Sequence, residues 1–101
     1  MSKGILLVTS RPEDPSDAAD FHRWYDDVHI PEMLGIEGFT GARRLQALDG
    51  DAFLTVYEVA DVAATKAAMA AAQTAGAMTR PTGLQLDPPP TVQWFEDLSA
   101  S

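Results

Sequence analysis

The hydrophobic spacing of this chain switches from a strand-like run to a helical period and back, and then does so a second time, within 101 residues. Few architectures accommodate that order. Ile5-Leu6-Leu7-Val8-Thr9 is a continuous β-branched and leucine run between Gly4 and Ser10-Arg11-Pro12, the pattern of a strand buried on both faces. Phe21, Trp24, Tyr25 and Val28 then fall at i, i+3, i+4 and i+7, an amphipathic helix that Ser16 or Asp17 can cap. Pro31 disfavours helical backbone at Ile30, so the helix is expected to end or kink near His29, with Gly35 and Gly38 finishing the turn. Residues 39–48 and 52–59 read as strands joined at Asp49-Gly50, a dipeptide that closes tight hairpins, and should pair antiparallel. Asp61 is a plausible cap for the alanine-dense helix that follows from Val62 to Ala72. Gly76, Pro81, Gly83 and the prolines at 88–90 make residues 75–90 a loop, residues 91–96 restore strand character, and Ser99-Ala100-Ser101 is a polar tail.

The resulting β-α-β-β-α-β order predicts one ferredoxin-like α+β domain over residues 1–101, with a four-stranded antiparallel sheet carrying two helices on one face. Several strands bear apolar residues of both parities, Phe53 and Val59 against Leu54 and Val56, so the other face also needs a cover. A second copy of the same sheet, in a two-fold homodimer, supplies it most economically. A chain this short also gains core by self-association.

Composition narrows the function classes. Seven Lys plus Arg against fifteen Asp plus Glu give a net charge of −8, the wrong sign for a phosphate backbone or an anionic membrane surface. Without cysteine, disulfides, thiolate nucleophiles and Cys-built metal sites are excluded, which suits a cytoplasmic protein. The apolar run at the start is too short for an export signal or a membrane anchor. Neither a Gly-rich phosphate loop nor a serine nucleophile elbow occurs.

Chemistry-bearing residues concentrate between Phe21 and Met33, which holds both histidines. At 3.6 residues per turn, Phe21, Trp24, Tyr25 and Val28 form the buried stripe, and His22, Asp26 and His29 a polar stripe at its edge. Asp26 and His29 are i, i+3 neighbours and Tyr25 and His29 are i, i+4 neighbours, so a carboxylate can orient the imidazole beside a phenol. Such a set moves protons near neutral pH, with the carboxylate raising the imidazole pKa. Solvated Asp/His neighbours at a helix end are the simpler reading of the same spacing. As metal ligands, His22, Asp26 and His29 make a poor set, and no metal is expected. Arg43 and Arg44 must point to opposite sheet faces, so one guanidinium turns toward a dry region and needs an anion: Asp26, Asp27, Glu58 or a substrate carboxylate or enolate. Trp94 and Phe95 can fill core or wall a pocket.

The run Trp24-Tyr25-Asp26-x-x-His29-x-Pro31, followed by Gly38-Phe39-x-x-Ala42-Arg43-Arg44, resembles the dimeric α+β barrel superfamily, with the EthD-like branch as the nearest match. The resemblance implies a homodimer whose sheets face one another, and a pocket in each protomer between sheet and helices. The superfamily includes lactone isomerases, polyketide cyclases, cofactor-free monooxygenases and haem enzymes, so the fold alone does not select a reaction. The family's helix histidine maps onto His29 and its tyrosine–aspartate pair onto Tyr25 and Asp26. The leading expectation is a cofactor-independent isomerase, cyclase or dehydratase of a small lactone- or polyketide-like carbonyl compound. In it His29 takes the proton, Asp26 orients it, Tyr25 or Arg43 stabilises the enolate, and Trp24, His22, Tyr57 and Trp94 contact the substrate. The alternatives are a non-catalytic dimeric binder or accessory protein of an oxygenase pathway, and a cofactor-free monooxygenase acting on an electron-rich aromatic metabolite.

Overall fold

The computed structural model describes residues 2–99; Met1, and Ala100 and Ser101 of the expected tail, lie outside the described residues. Strands β1 (Gly4–Ser10), β2 (Phe39–Gln46), β3 (Phe53–Val59) and β4 (Thr91–Glu96) form one antiparallel sheet of order β2-β3-β1-β4. Helices α1 (Ala18–Arg23), α2 (Ile30–Leu34) and α3 (Val62–Thr74) complete an α+β domain with the expected element order. No described helix is long and apolar enough to cross a membrane.

Between β1 and β2, Pro31 led us to expect an end or a kink near His29; the helix does not end there but changes its winding. A six-residue π-helical stretch, Trp24–His29, joins α1 directly to α2, and Pro31 sits in the first turn of α2. A proline has no N–H, and its ring collides with the carbonyl four residues earlier. Widening the turn by one residue relieves both problems, and the Ile30 N–H accordingly reaches back five residues to the Tyr25 carbonyl. The start of this helical segment is capped two positions before Ser16 and three before Asp17, since the Asp14 carboxylate accepts the Ser16 N–H at 2.9 Å. At α3 the expected cap holds: the Asp61 carboxylate accepts the Ala64 N–H at 3.0 Å.

Strand register decides which residues meet the helices. Leu6 lies opposite Tyr57 and Trp94, Ala42 opposite Tyr57, and Arg44 opposite Thr55. This inner row buries Leu6, Tyr57, Phe39 and Val59 with Met33, against Ile30, Ile36, Val62, Met69, Met78 and Trp94. A second cluster, Phe21, Trp24, Tyr25 and Leu84, lies under the helical segment, and Ile30 touches both. The outer row contains Ile5, Leu7, Leu54, Val56, Leu45 and Phe95, of which Leu45 and Phe95 are 37% and 43% exposed. The β2–β3 connection is longer than a two-residue turn. It spans residues 47–52, closed by the Ala47 N–H on the Ala52 carbonyl at 3.0 Å, with Gly50 at φ +89°. Residues 75–90 are an ordered crossing segment, pinned by Leu84 in the core, a bridge to Pro12, and the Gln85 N–H on the Arg11 carbonyl.

Helix α3 packs on the inner row through Val62 and Met69 and meets the turn before β2 at Gly38. Gly38 has φ +103°, and a Cβ there would overlap Thr65 Oγ1. Gly50 also has positive φ but nothing within 4 Å. We therefore expect Gly38→Ala to cost roughly 3 kcal/mol, backbone strain plus overpacking, and Gly50→Ala only about 1 kcal/mol, strain alone. Urea unfolding of the two variants measures the difference, and equal losses would show that α3 does not depend on this contact.

Candidate functional site

The π-helical turn brings His29 onto the buried face. In an α-helix residues five apart point in different directions, whereas here the Trp24 and His29 rings stack, with centroids 4.4 Å apart and planes 17° apart. Tyr25 meets the imidazole edge-on at 5.5 Å, and Tyr57 of β3 approaches it from the sheet at 6.5 Å. Three buried polar atoms of this group, His29 Nδ1, Tyr57 Oη and Trp24 Nε1, have no hydrogen-bond partner among the described residues. The Tyr25 hydroxyl is paired with Ser10 Oγ at 2.8 Å.

Electrostatics here is governed by loss of water. Burial pushes the His29 pKa down to about 4, so the imidazole is neutral at pH 7. The carboxylate that pulls it the other way is Glu32, not Asp26. Glu32 itself is held below its ordinary pKa by the Thr79 hydroxyl and by the Thr79 N–H at 3.0 Å, contacts that also tie residues 75–90 to α2. Burial raises both phenols: Tyr57 strongly, and Tyr25 despite its Ser10 hydrogen bond and the nearby Arg44.

Asp26 belongs to a different set. It is 59% exposed and accepts from Arg44 Nη1 at 3.4 Å, while the same nitrogen lies 3.0 Å from His22 Nδ1. Burial, then Arg44, lowers the His22 pKa, as expected for a neutral ring accepting from a guanidinium. Arg44 is the inward arginine, its Cζ 4.6 Å from the Tyr25 ring centroid and 5.4 Å from that of Phe21. Its Nε and Nη2 are buried without partners among the described residues.

The structure thus brings His29, Tyr25, Trp24 and Tyr57 together. Arg43, expected to face a developing enolate, is exposed on the outer row opposite Val56, because strand alternation turned Arg44 inward instead. Asp26 does not orient His29: the widened turn rotates the two apart, and Arg44 holds the carboxylate. His22 joins Arg44, and Trp94 packs near Phe39 at 6.3 Å as part of the core. Glu32 and Arg44 were missed. Glu32 carried a signal, its i, i+3 spacing from His29; for Arg44 alternation showed only that one of two arginines faces inward. No group of residues suited to hold a metal ion occurs among the described residues.

A surface cleft of about 370 Å³ is lined by Trp24 with Asp20, Arg23, Asp27, Val28 and Thr82, so the ring that stacks on His29 also borders solvent-accessible space. Compared with protein-family models, with curated proteins and with solved structures, the chain matches none.

An unpaired buried hydroxyl destabilises a fold by about 1–3 kcal/mol. Replacing it while keeping the ring should therefore stabilise the protein: Tyr57→Phe is expected to raise the unfolding free energy by about 1 kcal/mol or more. Thermal or urea unfolding checks this. A loss of stability would mean that the hydroxyl is satisfied inside the fold and not presented to a ligand.

Proposed function

We propose that this chain is the protomer of a homodimeric α+β barrel of the EthD-like kind, and that it catalyses proton transfer on a small lactone- or polyketide-like carbonyl compound without a cofactor. One observation carries the reading: a neutral, desolvated imidazole with an unpaired Nδ1 faces an unpaired phenol inside the fold. Buried polar groups are ordinarily satisfied, and sites that leave them open are those that expect a ligand.

The step uses these groups as follows. In the Nε2–H tautomer, Nδ1 of His29 holds a lone pair and takes the proton α to the substrate carbonyl. The C–H electron pair moves to form the enolate, whose oxygen accepts a hydrogen bond from the Tyr57 hydroxyl. That phenol resists ionisation, so it donates without surrendering its proton. Where the substrate is β,γ-unsaturated the enolate is a dienolate, and returning the proton to its γ carbon shifts the double bond and completes an isomerisation. The Trp24 face, and not Asp26, holds the imidazole in place. The non-catalytic binder is the second reading, favoured by one observation: Asp26 pairs with Arg44 and leaves His29 without an orienting carboxylate.

Support for the dimer is the outer row of the sheet. Ile5, Leu7, Leu54, Val56, Leu45 and Phe95 form an apolar surface, and Arg43 and Glu58 lie on the same row to pair across a two-fold axis. Sedimentation is expected to give twice the chain mass, and Val56→Asp, a charge placed mid-row, a monomer. A monomeric wild type would remove the barrel from the proposal.

His29→Ala is expected to lower kcat/KM by at least about a hundredfold, the scale of general-base catalysis, while leaving the fold intact. Because the base is the neutral imidazole, the wild-type rate should stay level from alkaline pH downward and fall only as the pH drops through about 4. An acid limb near 6.5, or full activity in His29→Ala, would overturn the assignment of the base.

A further inference from the structure

Arg44 is the feature that proton transfer leaves unused. The chain carries fifteen carboxylates and seven Lys plus Arg, yet this inward guanidinium has only one carboxylate near it. Its side chain is 16% exposed, and the one carboxylate, Asp26, is largely in solvent and is reached by Nη1 alone, at 3.4 Å. Nη1 also takes His22 Nδ1. The remaining donors, Nε and Nη2, form the opposite edge of the guanidinium plane, the edge that grips a carboxylate with two parallel hydrogen bonds. Both are buried and without partners among the described residues. The surrounding rings, Tyr25 at 4.6 Å, Phe21 at 5.4 Å and Phe53 at 5.9 Å, hold the cation by π attraction but offer no lone pair to those two N–H groups.

Register places Arg44 on the same sheet face as Tyr57 of the proton-transfer pair. Arg44 lies opposite Thr55, so Tyr57 is its diagonal neighbour on the same sheet face, about 7 Å away along the pleat. Tyr57 in turn faces His29. A ligand that reached both groups would meet a guanidinium edge at one end and a phenol and imidazole at the other.

We propose that Arg44 is the carboxylate-binding residue of this site and that its substrate is an acid, a small carbonyl compound or lactone whose carboxylate stands a few carbons from the reacting carbonyl. The inference rests on the acid–base reading of His29 for the reaction, but its test reads binding and not turnover. The bidentate pair fixes the substrate's direction, so that the α carbon falls at Nδ1 of His29 and the carbonyl oxygen at Tyr57. A neutral analogue leaves two buried N–H groups unpaired and is rejected for that reason.

The probes are 4-oxopentanoate and its methyl ester, titrated into the full chain by calorimetry and by NMR of the arginine Nε–H groups. The acid is expected to bind at least about tenfold more tightly than the ester and to shift the Arg44 Nε–H resonance. Arg44→Met should abolish the preference, Arg44→Lys should keep part of it, and His29→Ala should keep all of it. Equal affinities, no binding of either probe, an unmoved Arg44 resonance in the wild type, or a preference that survives Arg44→Met would each overturn the inference; the resonance decides the matter even if Arg44→Met does not fold. Failure of the base assignment looks different: Arg44-dependent binding of the acid persists, and His29→Ala turns the substrate over as fast as the wild type.

Discussion

Packing of the helical segment from residue 18 to residue 34 against one side of the sheet decides which polar groups in this protein lose water. Phe21, Trp24 and Tyr25 supply the apolar contact, and the inner row of β1, β3 and β2 receives it. The same contact closes over a set of groups that an apolar core would exclude: an imidazole, two phenols, an indole N–H and a guanidinium. Two of them found partners on the way in, Tyr25 with Ser10 and one nitrogen of Arg44 with His22 and Asp26. The rest did not. Leaving several buried donors and acceptors open costs a marginally stable domain a sizeable share of its stability. That cost is the ground on which we propose the cluster as a site.

At His29 two opposing effects can be ranked. Glu32, kept anionic by Thr79, attracts a proton onto the ring, and burial repels it. Burial prevails, because Glu32 stays in contact with water, where its field is screened, while the imidazole has given up its hydration. A histidine held neutral in this way is available as a base at every physiological pH, though a weaker one than a histidine of ordinary pKa. In the proton transfer we propose, positioning must then contribute much of the rate, and the stack on Trp24 supplies it.

The two faces of the sheet serve different ends. On the inner face the side chains are committed to helices and to the polar cluster, whereas the outer face presents aliphatic residues beside Arg43 and Glu58. Adjacent residues of one strand are thus divided between them. Arg43 and Arg44 differ by one position in the chain and by the whole thickness of the sheet in their surroundings.

Most of the fold was legible in the order of hydrophobic periods, since strand alternation, helical stripes, the Asp61 cap and the glycine–proline loop are local properties that neighbouring residues impose on one another. The concentration of reactive groups around His29 was legible too. Three things were not. A proline that signals an end can be absorbed by a widened turn when both flanks have a core to bury, so only packing could carry the helix through Pro31 to Leu34. Spacing set Asp26 beside His29 on an ideal helix, but the wider turn gave His29 to Trp24 and left Asp26 to Arg44. Which arginine faced inward also waited on the pairing of β2 with β3, because alternation is a relative rule and its sign is set by long-range register. The linear chain therefore determined its elements and where its chemistry gathers, while the tertiary structure alone decided which groups were stripped of water, since desolvation depends on residues far apart in sequence arriving at the same place.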